Sequence, residues 1–203
     1  NKKNLVYNLN YIKKCVGNNV TIMPVVKADA YGHGVVQICK TLSKYDIKGF
    51  CVALLDEVVH LRNNKINAKI LHLGVLEHKF NPILLDPNLI LTINSQEDIL
   101  FLNHLGKKHN HQFRVHIKID TGMTRLGILK EDIETIKNSL FESKFLIVEG
   151  IYTQLSSADE DDVSCTEIQR NRFIDNSDYF CSYFSSIKFK HFTPSAGLLK
   201  NKK

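Results

Sequence analysis

PVVKADAYGHG, residues 24–34, is the stretch on which the fold turns. An apolar run delivers a lysine, Lys27, at its C-terminal end and breaks into a glycine-containing turn, after which Val35, Cys39 and Leu42 recur at helical spacing. That is one strand–helix unit, and the alternation continues outward from it. Strand-like runs are VTIMPVVKA (20–28), FCVALL (50–55), AKILHLG (68–74), LILTIN (89–94), FRVHIKID (113–120), FLIVEGIYTQL (145–155) and IKFKHFTPS (187–195). An amphipathic helix carrying Leu5, Leu9, Ile12 and Val16 precedes them. Another, capped by Ser95, places Ile99, Leu102 and Leu105 on one face and ends at Gly106. Nearly continuous apolar strands separated by helices imply an α/β protein whose parallel sheet is buried on both faces. Both a closed barrel and a doubly wound sheet meet that description, and periodicity does not choose between them. The count is about seven strand–helix units, one fewer than the eight that close a typical barrel.

Composition narrows the class. With 203 residues, 43% hydrophobic and 24% charged, the chain can bury an ordinary core as one domain without disulfide or metal staples. Its apolar runs stay below the ~18 residues a membrane span needs, and its first residues lack the pattern of a secretory signal. These features point to a cytoplasmic protein with no membrane partner. Five cysteines, Cys15, Cys39, Cys51, Cys165 and Cys181, are scattered with no CxxC pair, as expected of reduced thiols serving as small core residues rather than of a zinc site. The net charge of +6 is spread through helix-like segments, the only dense run being LKNKK at the end. Nucleic acid is therefore not expected as a partner.

The chemistry begins at Lys27. In a parallel barrel the C-terminal ends of the strands form the active-site face, and a lysine there, flanked by Val25 and Val26, is drawn partly out of water, which favours the free amine that forms a Schiff base. Tyr31, on the following turn, has a hydroxyl suited to a phosphate. Taken alone, an isolated K-x-x-x-Y favours the plainer reading, in which Lys27 snorkels at a strand end and Tyr31 packs over the barrel mouth.

The complete string VVKADAYGHG closely resembles the cofactor-lysine motif of the alanine racemases, pyridoxal-phosphate enzymes of fold type III. FCVALLDEVVHLR (50–62), ILHLG (70–74), VHIKIDTGMTRLGI (115–128), EGIYTQLSSADE (149–160) and PSAG (194–197) resemble successive segments of the same family, in its order, so essentially the whole chain is covered. The resemblance implies an N-terminal domain of the (β/α)8 TIM-barrel type over residues 1–203, incomplete, with the family's C-terminal β domain absent. It implies pyridoxal phosphate bound as an internal aldimine to Lys27, its phosphate contacted by Tyr31 and Ser195, with Lys27 also one catalytic base and no metal required. Arg125 corresponds to the arginine that hydrogen-bonds the cofactor's phenolic oxygen. Lys118 corresponds to a lysine that is carbamylated in some members and braces that arginine. The residues themselves leave open an Arg125–Asp120 pair and an outward-pointing Lys118. The implied activity is an isomerase reaction, racemisation of L-alanine to D-alanine for peptidoglycan synthesis, with alanine as the small-molecule partner.

The chain also departs from the family. Gln154 stands where the family has a histidine that packs on the cofactor ring, and Pro194 replaces an asparagine beside Ser195 while removing a backbone donor. After PSAGLLK the family continues with an arginine facing the pyridine nitrogen, then with a β domain that supplies a tyrosine as the opposite base. Racemisation takes a proton from one face and returns one to the other, and only one such group is visible here. The 203 residues alone are thus expected to be weakly active or inactive, and to need a separate C-terminal segment or a second subunit. Two other readings fit: a single-domain pyridoxal-phosphate homeostasis protein, against which KADAYGHG and KIDTGMTRLG argue, and a decayed racemase, which Gln154 and Pro194 favour. Preference for alanine over serine is not legible.

Overall fold

Every strand-like run except the first becomes a strand in the computed structural model, which describes residues 1–192 and Leu198. The strands are β1 (Gly49–Val52), β2 (Lys69–His72), β3 (Leu89–Ile93), β4 (Phe113–Lys118), β5 (Leu146–Tyr152) and β6 (Phe189–His191). Their order in the sheet is their order in the sequence, and β1–β2, β4–β5 and β5–β6 pair in parallel. A doubly wound sheet reverses its strand order at a switch point, whereas a (β/α)8 barrel does not. The chain is therefore of the TIM-barrel kind, with an incomplete set of strands. The first run contributes less than its composition suggests. Of VTIMPVVKA only Val25 joins the sheet, as a parallel bridge to Cys51. Val26 N–H donates to Cys51 O at 2.8 Å and Cys51 N–H to Pro24 O at 2.9 Å. Pro24 has no N–H to extend the ladder backward, and beyond Val26 the backbone leaves the extended region.

Two compact units divide the chain: Asn1–Gly74 with Asn81–Ile90, and Val75–Phe80 with Leu91 onward. The first holds helices α1 (Lys2–Val16), α2 (Lys27–Gly32), α3 (Val35–Leu42) and α4 (Leu55–Asn63). Asn1 caps α1 by accepting from Lys3 N–H at 2.9 Å, and Leu9 is buried while Leu5, Ile12 and Val16 are half-buried. α3 buries Val35, Cys39 and Leu42 as its spacing predicts. Cys51, Leu71 and Ile90 form a core cluster against Met23 and Leu73. At the end of α4, Arg62 pairs with Asp86 and donates to Ile66 O. Burial pushes the thiols of Cys39 and Cys51 up to about 12, which leaves them protonated and inert. The core assignment of the cysteines does not extend to Cys165, which is exposed, and Cys15 and Cys181 are half-buried.

The second unit holds α5 (Gln96–His109), α6 (Ile133–Glu142) and α7 (Ser164–Tyr183) around strands whose burial is nearly continuous, as a sheet covered on both faces requires. Ser95 caps α5 as expected: its hydroxyl accepts from Asp98 N–H at 3.3 Å, and the Asp98 carboxylate accepts from Asn94 N–H at 2.7 Å. The helix does not stop at Gly106. It runs to His109 and closes on Asn110 at φ 49°. A Cβ at Gly106 would lie 2.3 Å from Cβ of Phe145, so that glycine serves packing, not termination. Phe173 and Phe180 of α7 are fully buried. No helix among the described residues is long and apolar enough to cross a membrane.

His72, the last residue of β2, gives the first unit an acid sensitivity. It is 1% exposed, and burial lowers its pKa from 6.5 to about 4 against the opposing pull of an Ala53 backbone hydrogen bond and the Glu57 charge. The unfolded chain protonates this imidazole first, so the stability it supports is whole above pH 6.5 and is lost as pH falls toward 4. The loss is roughly 2–3 kcal/mol. Urea melts recorded above and below this window should show it, and a His72→Asn chain should show less pH dependence than the parent.

Candidate active site

Lys27 opens a turn of unusual hand. Instead of ending a strand, it follows the buried Val26 and starts α2, in which Ala28, Asp29, Ala30 and Tyr31 take φ values of 51°, 53°, 52° and 56°. Four successive L-residues in the left-handed region cost roughly 1–2 kcal/mol each, and such strain persists only where the surroundings over-determine it. The restraints are visible. Ala30 N–H donates to Val26 O at 2.9 Å and Gly34 N–H to Asp29 O at 3.0 Å. The Asp29 carboxylate accepts from Val35 N–H at 2.7 Å, tying the turn to the start of α3. From α4, one oxygen of Glu57 accepts from Ala28 N–H at 2.5 Å, while its other oxygen accepts from Ala53 and Leu54 N–H at 2.8 and 3.0 Å. The result is a fixed backbone that holds a half-buried primary amine and presents Tyr31, which is 62% exposed, four residues later. Of the two flanking valines only Val26 is buried, Val25 being exposed.

In the second unit, KIDTGMTRLG forms a pinned loop after β4. Lys118, the last residue of that strand, is 5% exposed, and its Nζ lies 5.8 Å from the centroid of the Tyr152 ring. It points into the protein, contrary to the outward alternative. Asp120 spends one carboxylate oxygen on Gly122 N–H at 2.9 Å and Thr124 N–H at 3.0 Å, an Asx-type turn, and does not pair with Arg125. The loop returns to its own stem through Asp120 N–H to Ile128 O at 3.0 Å and Ile128 N–H to Lys118 O at 2.8 Å. Arg125 stands exposed near its tip.

Gln154 lies two residues beyond β5, half-buried, its side-chain amide donating to Leu155 O at 3.2 Å. Its main chain belongs to a network centred on Gln169 of α7, which is 1% exposed. The Gln169 carbonyl oxygen accepts from Ser156 N–H at 2.9 Å and from its hydroxyl at 3.0 Å. Its NH2 donates to Thr121 Oγ1 and to Gln154 O, both at 3.3 Å. The hydroxyls of Thr121 and Thr153 lie 2.9 Å apart, and Arg172 donates to Thr121 O at 3.0 Å. A buried amide with both ends satisfied locks the loops after β4 and β5 to one helix. Deeper in this unit the Tyr152 ring stacks on His191 at 4.6 Å, His191 is 3.0 Å from the His116 imidazole, and Tyr152 OH is 2.9 Å from Thr92 Oγ1. Burial lowers the His191 pKa to about 4. Ser195 and Pro194 lie outside the described residues. Among the described residues, no group of three or more His, Cys, Asp or Glu is placed to hold a metal ion.

Two of these supporting residues are not apparent as such from the sequence. Glu57 falls at the third position of α4, where a glutamate commonly reaches back to cap the helix, but its contact with the lysine turn is long-range and leaves no local sign. Gln169 is one polar residue within a mostly polar helix, and nothing marks it.

A family model described as alanine racemase, N-terminal domain, matches residues 1–203. The chain belongs to the alanine racemase N-terminal domain family. An alanine racemase of Halothermothrix orenii is 39% identical over 202 residues, which cover 98% of this chain and 52% of that protein. The solved alanine racemase of Clostridium difficile 630 superposes with a TM-score of 0.90 at 33% identity, over 97% of this chain and 54% of the other. The chain thus spans about half the length of the relatives it matches. A histidine racemase from Leuconostoc mesenteroides shares the fold at 24% identity and a TM-score of 0.82, covering 95% of this chain and 51% of that one.

Proposed function

We propose that the chain is the cofactor-binding half of a pyridoxal-phosphate-dependent alanine racemase. The observation that carries the reading is the left-handed turn, which spends strain to hold the Lys27 amine and the Tyr31 hydroxyl on one rigid segment. Within the first unit the donors suit that cofactor, a half-buried lysine for its aldehyde and an exposed phenol for its phosphate; Arg125, whose guanidinium Asp120 leaves uncommitted, is a further ligand by family correspondence. Ser195 is a further phosphate ligand by family correspondence. When bound, pyridoxal phosphate supplies an electron sink that makes the α-proton of an amino acid acidic.

Lys27 takes or returns that proton on one face. Tyr31 would hold the phosphate end, and by family correspondence Arg125 would oppose negative charge at the phenolic oxygen. By family correspondence Lys118 would brace Arg125, as the amine or as its carbamate; its side chain is buried beside the Tyr152 ring. Gln154 replaces an aromatic packing surface with an amide, which holds the ring less firmly. The proton on the opposite face needs a second group, supplied by a C-terminal segment or a second subunit. The substrate is alanine, and the setting is cytoplasmic supply of D-alanine for peptidoglycan.

The test is covalent capture. The purified chain mixed with pyridoxal phosphate should turn yellow, and borohydride reduction followed by peptide mapping should place the adduct on Lys27. A folded preparation labelled only on other lysines would remove the proposal.

A further inference from the structure

We infer that Glu57 is a positioning residue for Lys27, holding the lysine turn in its left-handed form from outside the turn; this rests on the role proposed for Lys27. The turn cannot hold itself. Its internal bonds, Ala30 N–H to Val26 O and Gly34 N–H to Asp29 O, with the Asp29 carboxylate on Val35 N–H, close its middle and its exit. The entrance is the amide between Lys27 and Ala28, and its hydrogen goes to Glu57 Oε1 at 2.5 Å. The other oxygen is held by the amides of Ala53 and Leu54, where the chain leaves β1 for α4. One carboxylate thus bridges the amide next to the reactive lysine and the start of a helix anchored by Val58 and Leu61, both fully buried.

The chemistry requires a carboxylate at this position. Three backbone N–H groups converge on two oxygens, and no donor is needed from the side chain. An amide would turn its NH2 toward at least one of those hydrogens and leave that N–H without an acceptor. A hydrogen bond from a backbone amide to a charged acceptor is among the stronger ones. Its loss is expected to release the entrance of the turn, so that the Lys27 amine samples positions away from its site.

The experiment compares Glu57→Gln with Asp98→Asn in the full chain. Asp98 caps the start of α5 in the same way, accepting from the Asn94 and Ser95 amides at 2.7 and 3.2 Å while its other oxygen lies 2.7 Å from His78 Nε2, and so controls for loss of a bridging carboxylate at a helix start. Both variants should lower the melting temperature. Only Glu57→Gln should accelerate hydrogen exchange at the amides of residues 28–31 in the unliganded chain, and only it should slow formation of the reducible Lys27 adduct, by about tenfold or more. If Glu57→Gln exchanges and reacts like the parent, or if Asp98→Asn is equally impaired in both, the positioning role is wrong. Should the parent form no Lys27 adduct, the cofactor proposal fails separately, and the exchange of residues 28–31 decides the role of Glu57.

Discussion

Lys27→Ala is expected to abolish capture of pyridoxal phosphate and to slow cofactor-assisted exchange of alanine's α-proton by about 10²–10⁴-fold, the usual contribution of one positioned acid–base group. Among the described residues no other lysine stands on a turn like that of residues 27–32, where five consecutive residues at positive φ, four of them L-residues, give the side chain a fixed origin. Among the lysines with some burial, Lys118 is enclosed at the end of β4 beside the Tyr152 ring. The side chain of Lys137 is held by Glu134 at 2.8 Å. The variant should fold, since Lys27 is only half-buried and the restraints on the turn come from backbone groups and from Asp29 and Glu57. Deuterium incorporation into alanine, measured with cofactor present and compared with free cofactor alone, gives the fold-change. Unchanged exchange in a folded Lys27→Ala chain would assign the proton transfer to another group.

How much of this was readable beforehand follows from where each signal resides. β3 and β5 appear as long apolar runs because both faces of the sheet are covered, and that signal is local. Strand order is not local. A barrel and a doubly wound sheet use the same strands and helices, so the choice needed the pairing itself. The first run misled for a reason that Pro24 makes concrete, because apolar composition says nothing about the missing N–H that confines the strand to Val25. Gly106 misled in the opposite way. It looked like a helix end and is a contact point for Phe145.

Position and type single out Lys27 and Tyr31 as candidates, Arg125, Lys118 and Ser195 come only from the family resemblance, and the groups that support them leave far less trace. KADAY contains two alanines, the strongest helix former in right-handed helices, and propensity does not reveal that the turn winds to the left. The sequence offers Asp120 to Arg125, whereas its carboxylate closes an Asx-type turn on Gly122 and Thr124. The reach of Glu57 to Ala28 spans 29 residues and that of Gln169 to Thr121 spans 48, separations at which one sequence holds no record of contact. The pattern is physical: the candidate reactive groups sit in short contiguous strings, whereas the groups that orient them arrive from neighbouring elements.

Gly127→Ala is expected to destabilise the chain by about 3–4 kcal/mol and to loosen the loop that carries Arg125. Two costs add at this residue. Its φ is 127°, outside the regions L-residues ordinarily occupy, and a Cβ there would lie 2.7 Å from Asp120 N and 3.0 Å from the Ile119 carbonyl carbon. Both neighbours are backbone and cannot swing aside as a side chain can. Relief requires Asp120 N–H to part from Ile128 O, a bond of 3.0 Å that closes the stem of the loop, and a backbone donor that loses its partner costs about 1–3 kcal/mol. Gly17 provides the comparison, since at φ 75° it has nothing within 4 Å of the added methyl. Gly17→Ala should therefore cost only the dihedral contribution, about 1–3 kcal/mol. The difference between the two variants in urea denaturation isolates the backbone overlap at Gly127. If Arg125 opposes the cofactor's phenolic oxygen, the same substitution should also speed cofactor release from the folded chain. Equal stability losses at the two glycines would show that the loop yields without breaking its stem, and Arg125 would then owe its position to something other than Gly127.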